Sequence, residues 1–332
     1  KVMLKRRRFF RFLFYVLLFN LNSRYVFAKK KNNSTKVLSS LIFNKFLLNI
    51  NHPERPERIK YIIDLLNHSK LSGLLEYFEK QRDDDIWIKE IHTKKHIDSL
   101  KLNFTLAETV SRQAVAICLE GVDRIIKKSN KNVFCAVRPP GHHALNTGKD
   151  EGFCFYNYIA ISARYIQKKY NISRVLIIDW DYHHGNSTEH FFYDDPSVLF
   201  FSTHDQFAYP GTGSPNRKGK GKGKGYNINI HLPCNTQDRE IIDVFENVLV
   251  PRANLFKPEF VLISSGFDSR INDPLGCFNI SDDGFRKLTK IAKKIAKENC
   301  NDRLMSILEG GYNLDGNAKS TIAHINELNN FN

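Results

Sequence analysis

Four short apolar runs each give way to polar, glycine-containing sequence. Val133–Val137 precedes Arg138-Pro139-Pro140-Gly141-His142-His143, and Arg174–Ile178 precedes Asp179-Trp180-Asp181-Tyr182-His183-His184-Gly185-Asn186. Phe260–Ile263 precedes Ser264-Ser265-Gly266-Phe267-Asp268, and Leu304–Leu308 precedes Glu309-Gly310-Gly311-Tyr312. Runs of this length and composition predict buried strands. Val37–Leu48 predicts a first strand and its exit. Between the runs, apolar positions recur at helical spacing. Glu54–Asn67 places Ile59, Ile62, Ile63 and Leu66 on one face, with Pro53 and Pro56 restricting its start. Leu106–Ile126 turns Val110, Ala114, Ile117, Val122 and Ile125 inward, and Tyr158–Lys169, Arg239–Asn254 and Asp282–Glu298 are further helices. Strands alternating with helices predict an α/β domain with a parallel sheet covered on both faces.

Open α/β sheets build their sites where parallel strands end. Residues i and i+2 of an extended segment point the same way, so Asp181 and His183 can aim a carboxylate oxygen and a ring nitrogen at one point. That mixed N/O set suits zinc. Four polar turns after four buried strands point to one site at one edge of one sheet.

At these residues the chain resembles the zinc-dependent histone deacetylase superfamily, most nearly its class II and bacterial-type members. The resemblance runs from about Val37 to about Ala323. It includes His52-Pro53-Glu54-Arg55-Pro56-Glu57-Arg58, Gly152-Phe153-Cys154 with Tyr156-Asn157, Phe192–Val198, Tyr209-Pro210-Gly211-Thr212-Gly213 and Asp273-Pro274-Leu275-Gly276. It implies a single-domain, mainly parallel eight-stranded sheet of the arginase/deacetylase-like kind, with long loops forming a narrow tunnel.

The resemblance also implies roles. Asp268 joins Asp181 and His183 as the third ligand of one Zn2+, leaving coordination open for water and substrate. His143 is the general base, His142 supplies charge and hydrogen bonds, and Asp179 and Asn186 orient the two rings. The neutral Asn186, where many relatives outside class II carry Asp, leaves His143 less stabilised as imidazolium. Tyr312 donates to the developing oxyanion. Phe153 and Tyr209, with Gly152, form tunnel walls that sandwich an aliphatic lysine stem. Asp179 and Ser202 match a monovalent-cation site, usually K+. Ser187 and Glu189 depart from the Gly and Gln usual in class II, and the stretch Lys101–Glu108 offers only Asn103 near the place of an Asp that grips substrate backbone.

The implied activity is hydrolysis of acetyl-lysine or a related N-acyl amine, releasing acetate. The substrate is an acetylated peptide, protein or small acylated amine. Acetylpolyamine hydrolysis is the alternative in the same class. An acyl-lysine-binding pseudoenzyme is disfavoured by the full set His143, Asp181, His183, Asp268 and Tyr312, and an arginase-like two-metal cluster lacks a second ligand set.

Composition refines this picture. The chain has 332 residues, 42% of them hydrophobic, enough for one sizeable core. Of its net charge of +15, eleven Lys and Arg with no acidic residue lie in residues 1–36, so only +4 remains elsewhere. The basic balance therefore belongs to the leader and does not imply nucleic-acid binding. Residues 1–28 read as an export signal: Lys5-Arg6-Arg7-Arg8-Phe9-Phe10-Arg11, an apolar run Phe12–Phe19 and a small-residue site near Val26-Phe27-Ala28. Arg6-Arg7-x-Phe9-Phe10-Arg11 resembles a twin-arginine signal, which implies a periplasmic location. An organellar leader or an uncleaved membrane anchor is the alternative, and membrane contact is expected only through this segment. Residues 29–36 read as a basic linker and 37–332 as the catalytic domain. The six cysteines show no CxxC and no close pairing, and read as reduced thiols. Gly219–Gly225, with Lys at alternate positions, reads as a flexible solvated loop.

Overall fold

The computed structural model describes residues 35–330 apart from 48, 50 and 81. Its strands are β1 (Lys36–Ser39), β2 (Leu75–Tyr77), β3 (Asn132–Cys135), β4 (Val175–Asp179), β5 (Val198–His204), β6 (Asn227–His231), β7 (Phe260–Ser265) and β8 (Leu304–Leu308). They form one eight-stranded sheet in the order β2-β1-β3-β8-β7-β4-β5-β6. Every neighbouring pair is parallel. The four apolar runs are β3, β8, β7 and β4, which lie side by side in the middle of the sheet, so their polar exits share one edge.

Ten α-helices accompany the described strands: α1 (Glu57–Asn67), α2 (Asp85–Ile88), α3 (Lys94–Asn103), α4 (Thr105–Ile126), α5 (Tyr158–Tyr170), α6 (Asn186–Phe192), α7 (Asp238–Val244), α8 (Val250–Phe256), α9 (Asp282–Asn299) and α10 (Leu314–Asn329). Alternation along the strands serves two cores. Val175 and Ile177 of β4 pack with Ile117 of α4 and Ile159 of α5. Leu176 and Ile178 pack with Ile59 of α1, Phe285 of α9 and Ile325 of α10. Both faces are thus apolar, which is why these strands show continuous rather than alternating hydrophobicity. Local caps set helix ends. The Asn157 side chain accepts from Ala160 N at 2.9 Å to start α5, which stops at left-handed Asn171 (φ 53°). Ser281 Oγ accepts from Gly284 N at 3.0 Å to start α9.

Two sequence expectations change. The helix expected over Arg239–Asn254 is interrupted by a π-turn, Phe245–Leu249, just before Pro251, whose ring nitrogen cannot donate to the preceding turn. Cys234 and Cys277, 43 residues apart, are joined as a disulfide, against the reading of six reduced thiols. The loops leaving β6 and β7 bring them within 5.1 Å at Cα, a proximity that spacing along the chain does not encode. Cys118, Cys135, Cys154 and Cys300 are free and buried. Gly219–Gly225 is largely exposed, with Lys220 N donating to Tyr193 O at 2.8 Å and a short 3-10 turn over Gly221–Gly223. Thr35, the first described residue, is buried, and Lys36 opens β1. The export signal read over residues 1–28 lies outside the described residues. No helix among the described residues is long and apolar enough to cross a membrane.

Candidate active site

The exits of β4 and β7 are in register, Asp179 opposite Ser264, so the segments that follow run side by side. Asp181 and His183 leave β4, Asp268 leaves β7, and one donor atom from each lies within 4.8 Å of the others. His183 Nδ1 is 3.1 Å from Asp181 Oδ1 and 3.0 Å from Asp268 Oδ2. Main-chain amides fix the carboxylates: Tyr182 N donates to Asp268 Oδ1 and Gly310 N to Asp181 Oδ2, each at 2.8 Å. Two glycines are required by this crowding. A Cβ on Gly266 would lie 2.0 Å from Asp181 Oδ2, and one on Gly310 would lie 2.0 Å from Asp268 Oδ2.

The donor atoms of the trio fit a divalent cation, and without one the three side chains share protons. Burial, then the Asp181 carboxylate, pushes the Asp268 carboxyl up to about 7. Burial opposes charge on His183, yet its hydrogen bonds to Asp181 and Asp268 raise it to about 10. Two fully buried carboxylates and one imidazole form a mixed oxygen/nitrogen donor set, which matches zinc chemistry.

The β3 exit supplies the paired histidines, with ring centroids 4.0 Å apart. His142 Nδ1 is 3.0 Å from Asp179 Oδ2, and His143 Nδ1 donates to Asn186 Oδ1 at 2.7 Å. The two imidazoles are pushed in opposite directions. Burial disfavours charge on both. Asp181 and Asp179 nevertheless raise His142 well above its ordinary value. His143, beside His142 and His183, is driven well below. Groups with divergent proton affinities in one site are what acid–base assignments rest on. With Nδ1–H committed to Asn186, Nε2 of His143 is the basic nitrogen.

Tyr312 leaves β8 beside this cluster. Burial pushes its phenol well above the ordinary value, with the Arg58 charge opposing, so the hydroxyl keeps its proton. Phe153 meets Tyr312 edge-on at 5.9 Å, and Tyr209 meets His143 at 5.0 Å. Gly152 separates the two walls. A Cβ there would lie 2.4 Å from His143 Cδ2 and 2.7 Å from Tyr209 Cε1, and its φ is 54°. Asp179 and Ser202 are register partners on β4 and β5, with the Ser202 hydroxyl 2.8 Å from His204 Nδ1. Of the departures noted in the sequence, Ser187 Oγ donates to His142 O at 3.0 Å. Buried Glu189 is neutralised by Arg217 and accepts from Asn227 Nδ2 and Asn229 Nδ2 at 2.9 and 2.6 Å. Asn103 lies exposed at the end of α3.

Three supporting residues carried no role in the sequence reading. Asp273 Oδ2 accepts from Tyr312 N at 2.7 Å. Glu309 Oε2 accepts from Gly141 N at 2.6 Å and His142 N at 3.1 Å, and burial raises its carboxyl to about 7. Arg58 Nε donates to Gly311 O at 2.7 Å, its guanidinium lies 4.8 Å from the Tyr312 ring centre, and Glu54 pairs with both Arg58 and Arg138. The i,i+4 spacing of Glu54 and Arg58 was a usable signal. Nothing local linked Asp273 or Glu309 to their targets.

An all-parallel eight-stranded sheet with this polar edge is the arginase/deacetylase-like α/β fold. The chain belongs to the histone deacetylase family: residues 52–328 match the histone deacetylase domain. A probable deacetylase of Archaeoglobus fulgidus is 35% identical over 80% of this chain and 77% of its own length. A polyamine deacetylase of Danio rerio, HDAC10, is 38% identical over 66% of this chain and 32% of its own length. Histone deacetylase 6 of Caenorhabditis elegans is 34% identical over 84% of this chain, which spans 32% of that longer protein. The crystal structure of the HDA15 HD domain superposes with a TM-score of 0.83 at 31% identity, covering 90% of this chain and 88% of that one. The protein is a deacetylase of this family.

Proposed function

We propose that the protein hydrolyses the amide bond of acetyl-lysine or a related N-acyl amine and releases acetate. The observation that carries this reading is the convergence of Asp181, His183 and Asp268 beside a His143 oriented by Asn186 and a Tyr312 whose backbone is anchored by Asp273. Asp181, His183 and Asp268 would hold one Zn2+, which supplies Lewis acidity toward the acyl carbonyl and toward water. His143 Nε2 takes the proton of the attacking water and returns it to the leaving amine. His142, kept cationic by Asp179 and Asp181, places positive charge beside the developing negative charge. The Tyr312 hydroxyl donates to the oxyanion. Phe153 and Tyr209 hold the aliphatic stem of the substrate amine.

Acetylpolyamine hydrolysis is the second reading. The carboxylates of Asp150 and Glu151 act on Tyr209 and would attract a polyamine's charge. Asp179 and Ser202 are read as part of a K+ site. Residues 1–28 are read as a twin-arginine-type export leader, 29–36 as a basic linker and 37–332 as the catalytic domain. The deciding experiment is hydrolysis by the purified protein of acetyl-lysine peptides, acetylpolyamines and small acetyl amides, with and without chelator. Chelator-sensitive release of acetate from the peptides is the expected result. Turnover confined to polyamines would replace the first reading with the second, and none on any acyl amine would overturn both.

A further inference from the structure

An apolar hollow of about 380 Å³ opens beside Phe153. Its floor is aromatic: Phe46 and Phe155 are buried and meet edge-on at 5.9 Å, and Phe104 lies 5.7 Å from Phe155. Leu106, half exposed on the first turn of α4, forms its outer wall, and the exposed carboxylate of Asp150 stands at its edge. Phe153 is shared: one side lines the hollow, and the ring also meets Tyr312. The hollow is therefore continuous with the wall assigned above to the substrate stem.

That position limits the occupant. The acyl end of a substrate sits at the Asp181–His183–Asp268 floor, so only a group attached on the amine side of the scissile bond reaches the rim. A linear polyamine has no side branch to place there. A peptide has one: the side chain of the residue next to acyl-lysine. We propose, resting on the acyl-lysine reading above, that this hollow is a substrate subsite for a large apolar side chain adjoining the acyl-lysine of a peptide. Its volume, at the lower end of small-ligand pockets, admits an aromatic or leucine side chain with room to spare and is too small for a folded partner. Asp150 at the edge disfavours an acidic residue further along the peptide and suits a basic one.

The test uses zinc-loaded full-chain enzyme and short acetyl-lysine peptides that differ at one flanking position. Phe or Leu on one side should raise kcat/KM roughly tenfold or more over Gly, the scale of apolar-pocket discrimination. Leu106→Glu, which puts charge over the hollow, and Thr105→Trp, which fills it, should each abolish that advantage. Both sites are exposed, and turnover of the Gly-flanked peptide should be unchanged. Absence of any flank preference in the wild type, or its full persistence in both variants, overturns the subsite. If Gly-flanked peptide is cleaved without preference, the subsite alone fails. If no acetyl-lysine peptide is cleaved while acetylpolyamines are, the substrate reading fails and the subsite with it.

Discussion

Asp273 Oδ2 accepts the main-chain N–H of Tyr312 at 2.7 Å and that of Asn313 at 2.9 Å. The loop that carries Asp268 thus also holds the backbone from which the Tyr312 hydroxyl is aimed. Asp273→Ala would leave two N–H groups without their acceptor, a cost of roughly 1–3 kcal/mol for each buried one. The expected outcome is lowered stability and turnover with metal content retained, and partial recovery in Asp273→Asn. Denaturant unfolding, metal analysis and steady-state kinetics on the same preparations check it. Unchanged turnover in Asp273→Ala would show that the tyrosine does not depend on this anchor.

Tyr312→Phe removes the hydroxyl proposed as an oxyanion donor and leaves the ring packed between Phe153 and Arg58. The variant should fold, hold its metal and lose on the order of 10²–10³ in kcat. Near-wild-type turnover on every acyl substrate would make the tyrosine structural.

Asp268→Ala should lose metal and activity together, because two remaining ligands bind weakly. Metal content by elemental analysis is the readout independent of turnover. Full occupancy in the variant would move the site elsewhere.

Acid should destabilise the fold through its buried neutral histidines. Burial lowers His92, His204 and His324 to about 3, against 6.5 in the unfolded chain. Between those values the unfolded chain takes up a proton that the folded chain does not. Their contribution to stability is therefore full above about pH 6.5 and falls as pH drops toward 3, by up to about 1.4 kcal/mol per pH unit for each histidine. His324 is not one of the donors; it is bonded to Thr289 Oγ1 at 2.6 Å and Ser306 Oγ at 2.9 Å, and its ring packs on Trp180 and Phe267, the residues preceding Asp181 and Asp268. His324→Gln should make the slope of unfolding free energy between pH 6 and pH 4 shallower by about one proton. An unaltered slope in urea titrations would assign the dependence to other groups.

The export reading rests on Arg6, Arg7 and the apolar run behind them. In a twin-arginine-competent bacterial host, full-length protein should reach the periplasm, and replacing Arg6 and Arg7 together by Lys should retain it in the cytoplasm. Cell fractionation reads this directly, and export of the double variant would remove the twin-arginine route.

The local pattern carried much of the site because strand geometry is local. The four apolar runs became the four central strands, and Asp181 and His183 face one point because they are two residues apart on an extended segment. The same logic did not reach short or half-polar edges. β2 has three residues, and β6 alternates Asn227 and Asn229 with Ile228 and Ile230, so neither has the continuous apolar run of a central strand.

By itself the sequence determined which residues could bear the chemistry and that they leave the same kind of strand. Tertiary structure decided how they are held. Tyr182 N meets Asp268 Oδ1 across 86 residues, Arg58 meets Gly311 O across 253, and Glu309 meets the amide of Gly141 across 168. Cys234 and Cys277 belong with these contacts, since their pairing follows from two loop paths rather than from spacing. Periodicity reports a neighbour one turn or two residues away, whereas these contacts exist only once parallel strands are in register and their exits are brought to one edge.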